Sequence, residues 1–262
     1  MTKRGQITIF MIIAVIIISV VALFFILRGG IIPGIGEGLE KNPNVFLQVC
    51  IEDKLREGIE LISLQGGYVE NPLHINFKFE DEKDSQKISY LCYNRNDFEL
   101  CINQKPMLMI HLERELSNYV SEEVNNCFRN KLTSSLEKSR YDVNARYEGF
   151  ELNLNEGEIA INIDAELILT KGGETIKQEN FNLVFPSKFY DLALMVQEII
   201  NIEATTGEFN HFYFKDYPNF DISKYRTRDS SVIYTIRLLE GKEKFRFAVR
   251  GAVVPSGFGI NL

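Results

Sequence analysis

Residues Ile7–Leu27 read ITIFMIIAVIIISVVALFFIL, a run in which only Thr8 and Ser19 are polar. At about 1.5 Å per residue this run makes a helix of about 31 Å, matching a bilayer core of about 30 Å. Its many β-branched residues disfavour a helix in water, but in lipid a lone segment satisfies its backbone only by becoming helical. A buried core helix fits poorly, because no polar face exists and Arg28-Gly29-Gly30 follows at once. The run is also longer than a secretory h-region of about 7–15 residues, and Leu27-Arg28-Gly29 offers no small-x-small cleavage site. Lys3, Arg4 and the terminal amine precede it, while Arg28 alone follows closely, which favours a cytoplasmic N-terminus. The lipid bilayer is therefore the first expected partner, and the rest of the chain is expected outside the cytoplasm.

Lys3-Arg4-Gly5-Gln6-Ile7-Thr8, running straight into this apolar stretch, resembles the class III signal peptides of archaeal type IV pilin-like proteins. The resemblance is confined to the N-terminal stretch and the apolar run. It implies a prepilin-type peptidase cutting between Gly5 and Gln6, with the hydrophobic helix kept on the mature chain. Phe10 stands where that family usually carries Glu, and Gly29, Gly30, Pro33, Gly34 and Gly36 interrupt the helix directly after the membrane stretch. Both departures favour a membrane anchor over a filament subunit.

Charge and cysteines bound the body. Residues 1–30 hold Lys3, Arg4 and Arg28 and no acid, leaving 26 of the 29 bases against all 36 acids, a balance of −10. So acidic a body excludes broad contact with nucleic-acid phosphates, which needs clustered Lys and Arg. Cys50, Cys92, Cys101 and Cys127 all follow the membrane run. An even count in an exported region predicts two disulfides, with three connectivities open. Cys92 and Cys101 bracket the polar turn YNRNDFEL between two short alternating stretches, so a clasped hairpin is the natural local pair; that leaves Cys50 with Cys127. No C-x-x-C occurs, and no metal site or cofactor is expected.

Three divisions follow: 1–28 as cytoplasmic stub and membrane helix, 29–44 as a Gly/Pro-rich linker, and 45–262 as an extracytoplasmic α+β domain. Gly34-x-Gly36-x-Gly38 lies in the linker without the strand and six-residue frame of a phosphate loop, and reads as a hinge. In the body, Leu47, Ile51, Leu55, Ile59 and Ile62 form one helical stripe over Val45–Leu64, stopped by Gly66-Gly67. A strand interrupted by Pro72 is expected over Tyr68–Phe79, then a solvated charged loop Glu80–Lys87. Pro106 suits a first helical turn, and Met107–Lys138 reads as one long helix. Its apolar residues Leu112, Leu116, Val120, Val124, Phe128, Leu132 and Leu136 recur every fourth position. Four residues overshoot a full turn by about 40°, so on a straight helix the stripe winds around the axis. Either different partners cover its two ends, or the helix bends near Asn125-Asn126.

The alternation of Ile159, Ile161, Ile163, Ala165, Leu167 and Leu169 marks a half-buried strand. With Glu156-Gly157 before it and Gly172-Gly173 after it, Asp142–Leu154, Glu158–Thr170 and Glu174–Phe185 form an expected antiparallel meander. Ser187 is placed to cap a helix that runs to about Thr206 and ends at Gly207; Val232–Leu239 and Lys244–Val253 form a last hairpin. Helices and strands come in separate runs, which predicts an α+β fold with the long helix packed on the meander.

Catalytic signatures are thin. His111 and Glu115 share a helical face, but a helix-borne zinc site normally offers a second His at that spacing. Ser135-x-x-Lys138 lacks the companion segments of serine acylating enzymes, and no G-x-S-x-G, P-loop or H-E-x-x-H occurs. No catalytic residue is assigned. The stretch 209–225 is unusual: Phe209, Phe212, Tyr213, Phe214, Tyr217, Phe220 and Tyr225 are interleaved with Asp216, Asp221, Lys215, Lys224 and Arg226, and the Pro218-Asn219 break makes it read as a shaped loop between elements. Such rings grip peptide or sugar faces, and they also serve simply as core. Tyr213, Tyr217, Phe220 and Tyr225 are the candidate ligand-binding residues, for a protein or glycan partner, and that reading requires Tyr213, Tyr217 and Phe220 clustered and partly exposed. The expected function is a single-pass, membrane-anchored extracytoplasmic binding or structural protein. A pilin-like filament subunit is the first rival, and an envelope hydrolase with dispersed catalytic groups the second.

Overall fold

Asn42 opens the first helix. Its side-chain oxygen accepts the backbone N–H groups of Asn44 at 3.1 Å and Val45 at 3.4 Å, and Pro43 fills the position whose N–H would be unpaired anyway. The computed structural model describes residues 42–251 apart from 81, 97, 211–216, 240 and 242. The expected membrane helix Ile7–Leu27, the processing pair Gly5 and Gln6, most of the linker, Tyr213 and the tail Val253–Leu262 lie outside the described residues. Among those described, no helix is long and apolar enough to cross a membrane. The chain divides into two units, Met1–Phe46 and Leu47–Leu262, and everything below concerns the second.

The architecture is α+β: helices α1 (Pro43–Leu64), α2 (Leu108–Asn126), α3 (Thr133–Lys138) and α4 (Phe189–Thr206) with, among the described residues, nine strands in two sheets. Strands β4 (Asp142–Asn155), β5 (Glu158–Lys171) and β6 (Glu174–Pro186) form the expected meander, with two-residue turns at Glu156-Gly157 and Gly172-Gly173. Ile159, Ile161, Ile163, Ala165, Leu167 and Leu169 of β5 are all buried on one face. Period-2 alternation thus became a one-sided sheet, as half-buried strands require.

The long helix buries that face. Leu112, Leu116, Val120, Val124, Phe128, Leu132 and Leu136 are each no more than 1 % exposed, so the whole stripe stays covered. Its winding is undone by a π-helical segment, Cys127–Leu132, between α2 and α3. The i→i+5 ladder takes more residues per turn, so a four-residue step there falls short of a revolution instead of overshooting it. The bend expected near Asn125-Asn126 is a loosening of the helix rather than a kink. At the other end Pro106 precedes the Met107 N-cap instead of entering the first turn. The Leu108 N–H is taken by Gln197 Oε1 of α4 at 3.3 Å.

Helix α1 lies against α2. The Cys50–Cys127 bridge joins them with Cα atoms 6.0 Å apart, and Lys54 Nζ donates to the Tyr119 hydroxyl at 3.1 Å. Gly58 marks the close approach: a Cβ there would stand 2.7 Å from Tyr119 Cδ1 and 2.9 Å from Leu116 Cδ1. Gly58→Val is therefore expected to cost about 1–3 kcal/mol through overpacking, read as a lower urea midpoint at unchanged m-value.

The second sheet corrects two expectations. Strands β1 (His74–Phe77), β2 (Gln86–Tyr93), β9 (Lys244–Arg250), β8 (Val232–Leu238) and β7 (Phe220–Arg226) stand in that order, with the two-residue β3 (Ile102–Asn103) also on β2. It is mixed rather than wholly antiparallel, because β2 and β9 run parallel. The strand expected over Tyr68–Phe79 shortens to His74–Phe77. Asn71 and Pro72 end pairing, and the Asn71 amide donates instead to the Lys87 carbonyl at 2.8 Å. The loop expected around Phe220–Tyr225 is a strand: every residue from Phe220 to Arg226 pairs with β8.

One face of this sheet carries α4, where Phe189 stacks on Phe245 with centroids 6.1 Å apart. Ser187 Oγ accepts the Phe189 N–H at 3.1 Å, and Glu243 accepts the Lys188 N–H at 2.9 Å, placing a carboxylate at the positive end of the helix. Gly207, at φ 83°, closes the other end. On the opposite face the sheet curls. The Ser89 N–H donates to the Gln65 carbonyl at 3.1 Å, so the turn after α1 occupies the edge of β2 that β9 leaves. In consequence β1 and the first half of β2 fold over the sheet. Phe77 on β1 and Tyr225 on β7 stand with centroids 4.5 Å apart, although three strands intervene and a flat sheet would hold them about 19 Å apart.

Candidate functional site

Strand period separates the sequence candidates. Phe220 and Tyr225 are five residues apart, so they point to opposite faces of β7. Tyr217 is half-buried beside Phe209, at 6.4 Å between centroids, on the α4 side of the sheet. Phe220 is also half-buried, and Phe209 is fully buried. Tyr225 faces the concave side and is 50 % exposed. Tyr217 and Phe220, each half-buried, therefore lie away from Tyr225, and Tyr213, the third residue of the expected cluster, lies outside the described residues. Tyr225 lines a cavity.

That cavity, about 360 Å³, is the seam of the curled sheet. Ile75, Asn76 and Phe77 of β1 form one wall; Tyr225, Thr227, Arg228 and Asp229 form the other. Phe77 also meets Phe79 edge-on at 4.8 Å, so three rings run in a row. The β7–β8 turn that shapes the second wall is held by Asp229, which accepts the Ser231 hydroxyl at 3.0 Å, the Ser231 N–H at 3.3 Å and the Thr227 hydroxyl. Burial opposes the ionisation of Asp229, but those donors outweigh it and hold the carboxyl below its usual range. Sequence reasoning found Tyr225 by its ring; it missed the β1 wall, because nothing local links residues 75–77 to residue 225.

A second concavity, about 380 Å³, runs between α1 and the end of β6. Leu55, Ile59, Phe185 and Pro186 line it, with Glu60 and Glu243 at its edge. Glu243 is already engaged with the start of α4, and no histidine or cysteine lines the groove.

Glu203, Arg246 and His111 are buried polar groups. Glu203 accepts the Phe209 N–H at 3.0 Å and the Tyr234 hydroxyl; burial raises its pKa, and these bonds only partly oppose that. It anchors the entry to the aromatic stretch rather than facing a cavity. Arg246, 1 % exposed, pairs with Glu82 at 2.7 Å, bonds Gln86 at 3.2 Å and lies 3.7 Å from the Phe79 ring centre. His111 packs on Tyr68 at 4.5 Å, and its Nε2 has no hydrogen-bond partner among the described residues. Cys50, Cys127 and Glu123 place atoms close enough for a cation, but the two sulfurs are bonded to each other and Glu123 pairs with Lys131 at 2.7 Å. Among the described residues no histidine is hydrogen-bonded to a serine, a cysteine or a carboxylate.

Burial, with Lys105 adding to it and Glu115 opposing, pushes the His111 pKa down to about 4. The folded chain therefore prefers neutral His111, whereas the unfolded chain takes up a proton near the usual value of about 6.5. Stability from this group is full above pH 6.5 and is lost as pH falls toward 4. Between pH 7.5 and pH 5 the urea-unfolding free energy is expected to drop by about 1–2 kcal/mol more in the native chain than in a His111→Phe variant.

Compared with protein-family profiles, curated proteins and solved structures, the chain matches none.

Proposed function

We propose that this protein is a single-pass, membrane-anchored surface component whose α+β domain binds a partner or serves as structure outside the cytoplasm. The observation that carries the reading is the pairing of all four cysteines, Cys50–Cys127 and Cys92–Cys101, with no free thiol. Two structural bridges are the habit of oxidising compartments and rare in the cytosol. The apolar run Ile7–Leu27, flanked by Lys3 and Arg4, supplies the anchor and the orientation. A surface role is consistent with an acidic body and with two concavities that hold no catalytic grouping among the described residues.

The reading is tested by separating membranes from soluble protein and washing them with alkaline carbonate. The full chain should stay with the membranes, and release into the wash would overturn anchoring. The filament-subunit reading rests on Lys3-Arg4-Gly5-Gln6. It requires a mature chain beginning at Gln6, together with sheared surface filaments made of this protein; an intact Met1 excludes it.

A further inference from the structure

The two walls of the seam are the two outer strands of one sheet, and each presents open backbone. On β1, the Tyr90 N–H donates to the Leu73 carbonyl at 3.0 Å, in register with the Ile75–Ile88 pair. Alternation then turns the Ile75 backbone toward β2 and the Asn76 backbone away from it. On β7, the Thr227 N–H donates to the Ser231 carbonyl at 2.8 Å, so the Tyr225 backbone points to β8 and those of Lys224 and Arg226 point outward. No strand among the described residues pairs with either outer edge. Charge adds direction. Arg226 and Arg228 are exposed, and among the described residues neither has an ion-pair partner, while Asp229 is occupied in its own turn. Arg228 stands in the cavity wall and Arg226 on the face of β7 opposite Tyr225, so on a chain of formal charge −7 the end of β7 is locally basic.

We infer that the seam receives an extended segment of another polypeptide, added as a strand to the free edge of β1 at Asn76 or of β7 at Arg226. One of its apolar or aromatic side chains rests on Phe77 and Tyr225, and an acidic side chain meets Arg226 and Arg228. Strand addition supplies affinity through main-chain hydrogen bonds and specificity through alternate side chains. The cavity, about 360 Å³, lies at the low end of ligand pockets, about 300–1,000 Å³, so a short stretch is gripped. The inference rests on the chain being a binding component, and it names the class of partner for that role.

The test uses the full chain in detergent micelles, selecting from a displayed library of random nonapeptides. Enriched sequences should carry an acidic residue beside alternating apolar ones. The best peptide, synthesised with a fluorescent label, should lose at least tenfold in affinity when its alternate amides are N-methylated, a change that leaves the protein untouched. The pair Arg226→Glu with Arg228→Glu should weaken it tenfold and Tyr225→Ala several-fold, and Asn76→Pro tenfold where β1 is the pairing edge. Should Asn76→Pro fail to fold, the N-methylated peptide and the arginine variants still decide. The inference is overturned by a library with no convergence, by enrichment of basic peptides, or by a peptide indifferent to N-methylation and to the arginine changes. Release of the chain from membranes would remove the anchoring reading and leave peptide binding measurable; loss of peptide binding by an anchored chain would remove the seam alone.

Discussion

Replacing Cys50 and Cys127 together by alanine is expected to lower the unfolding free energy by about 4 kcal/mol. The pair Cys92→Ala with Cys101→Ala should cost about 2–3 kcal/mol. The order follows from the loops closed: the first bridge spans 77 residues and the second 9, and loop-closure entropy in the unfolded chain grows with that span. The first bridge also fastens α1 to the start of the π segment, the point at which the long helix reorients its apolar stripe. Urea denaturation of the oxidised variants, with each other pair left intact, measures both. A larger loss from the short bridge would contradict the assignment of Cys50–Cys127 as the main staple.

The second large effect is asymmetric. Arg246 and Glu82 form a buried pair, and Lys244 also reaches Glu82 at 3.4 Å. Removing Glu82 leaves the Arg246 guanidinium, 1 % exposed, with Gln86 and the Phe79 ring as its remaining partners among the described residues. Glu82→Ala is expected to destabilise by about 3–5 kcal/mol, as breaking a buried pair from one side does. Arg246→Met should cost less, because Glu82 keeps Lys244 and a long apolar side chain fills the space beneath Phe79. The double variant should lie closer to Arg246→Met than to the sum of the two, since no uncompensated charge remains. Equal losses for the two single variants, read from urea midpoints, would contradict this account of the pair.

These cases show where the sequence was legible. The meander was read almost to its ends, because every second residue from Ile159 to Leu169 is apolar and the turns Glu156-Gly157 and Gly172-Gly173 frame the strand. The helical stripe was equally plain, and its four-residue spacing even carried the trace of the π segment. Local signals set both. What could not be read were pairings between residues far apart. The parallel contact of β2 with β9 joins Tyr90 to Ala248, and no local pattern announces it. Glu82 sits in a charged run expected to be a solvated loop, and its role is visible only once Arg246 arrives on β9.

The candidate site divides in the same manner. Tyr225 was singled out for its ring, yet the same composition masked a strand, because Asp221 and Lys224 interrupt the apolar alternation of Phe220–Arg226 and Pro218-Asn219 stands just before it. Its wall on β1 depends on the curl of the sheet, and the curl depends on the turn after α1 displacing β9 from Ser89. Tyr217 precedes β7, and Phe220 sits on the other face of that strand for a simple reason. Residues an odd number of positions apart on a strand cannot share a face.

The claim on which the functional reading turns is that the domain lies outside the cytoplasm. Protease shaving of intact cells, with and without permeabilisation, measures it directly. The domain carrying Cys50 to Cys127 should be digested or released from unopened cells while a cytoplasmic marker survives. A chain left intact until the cells are permeabilised would contradict the account.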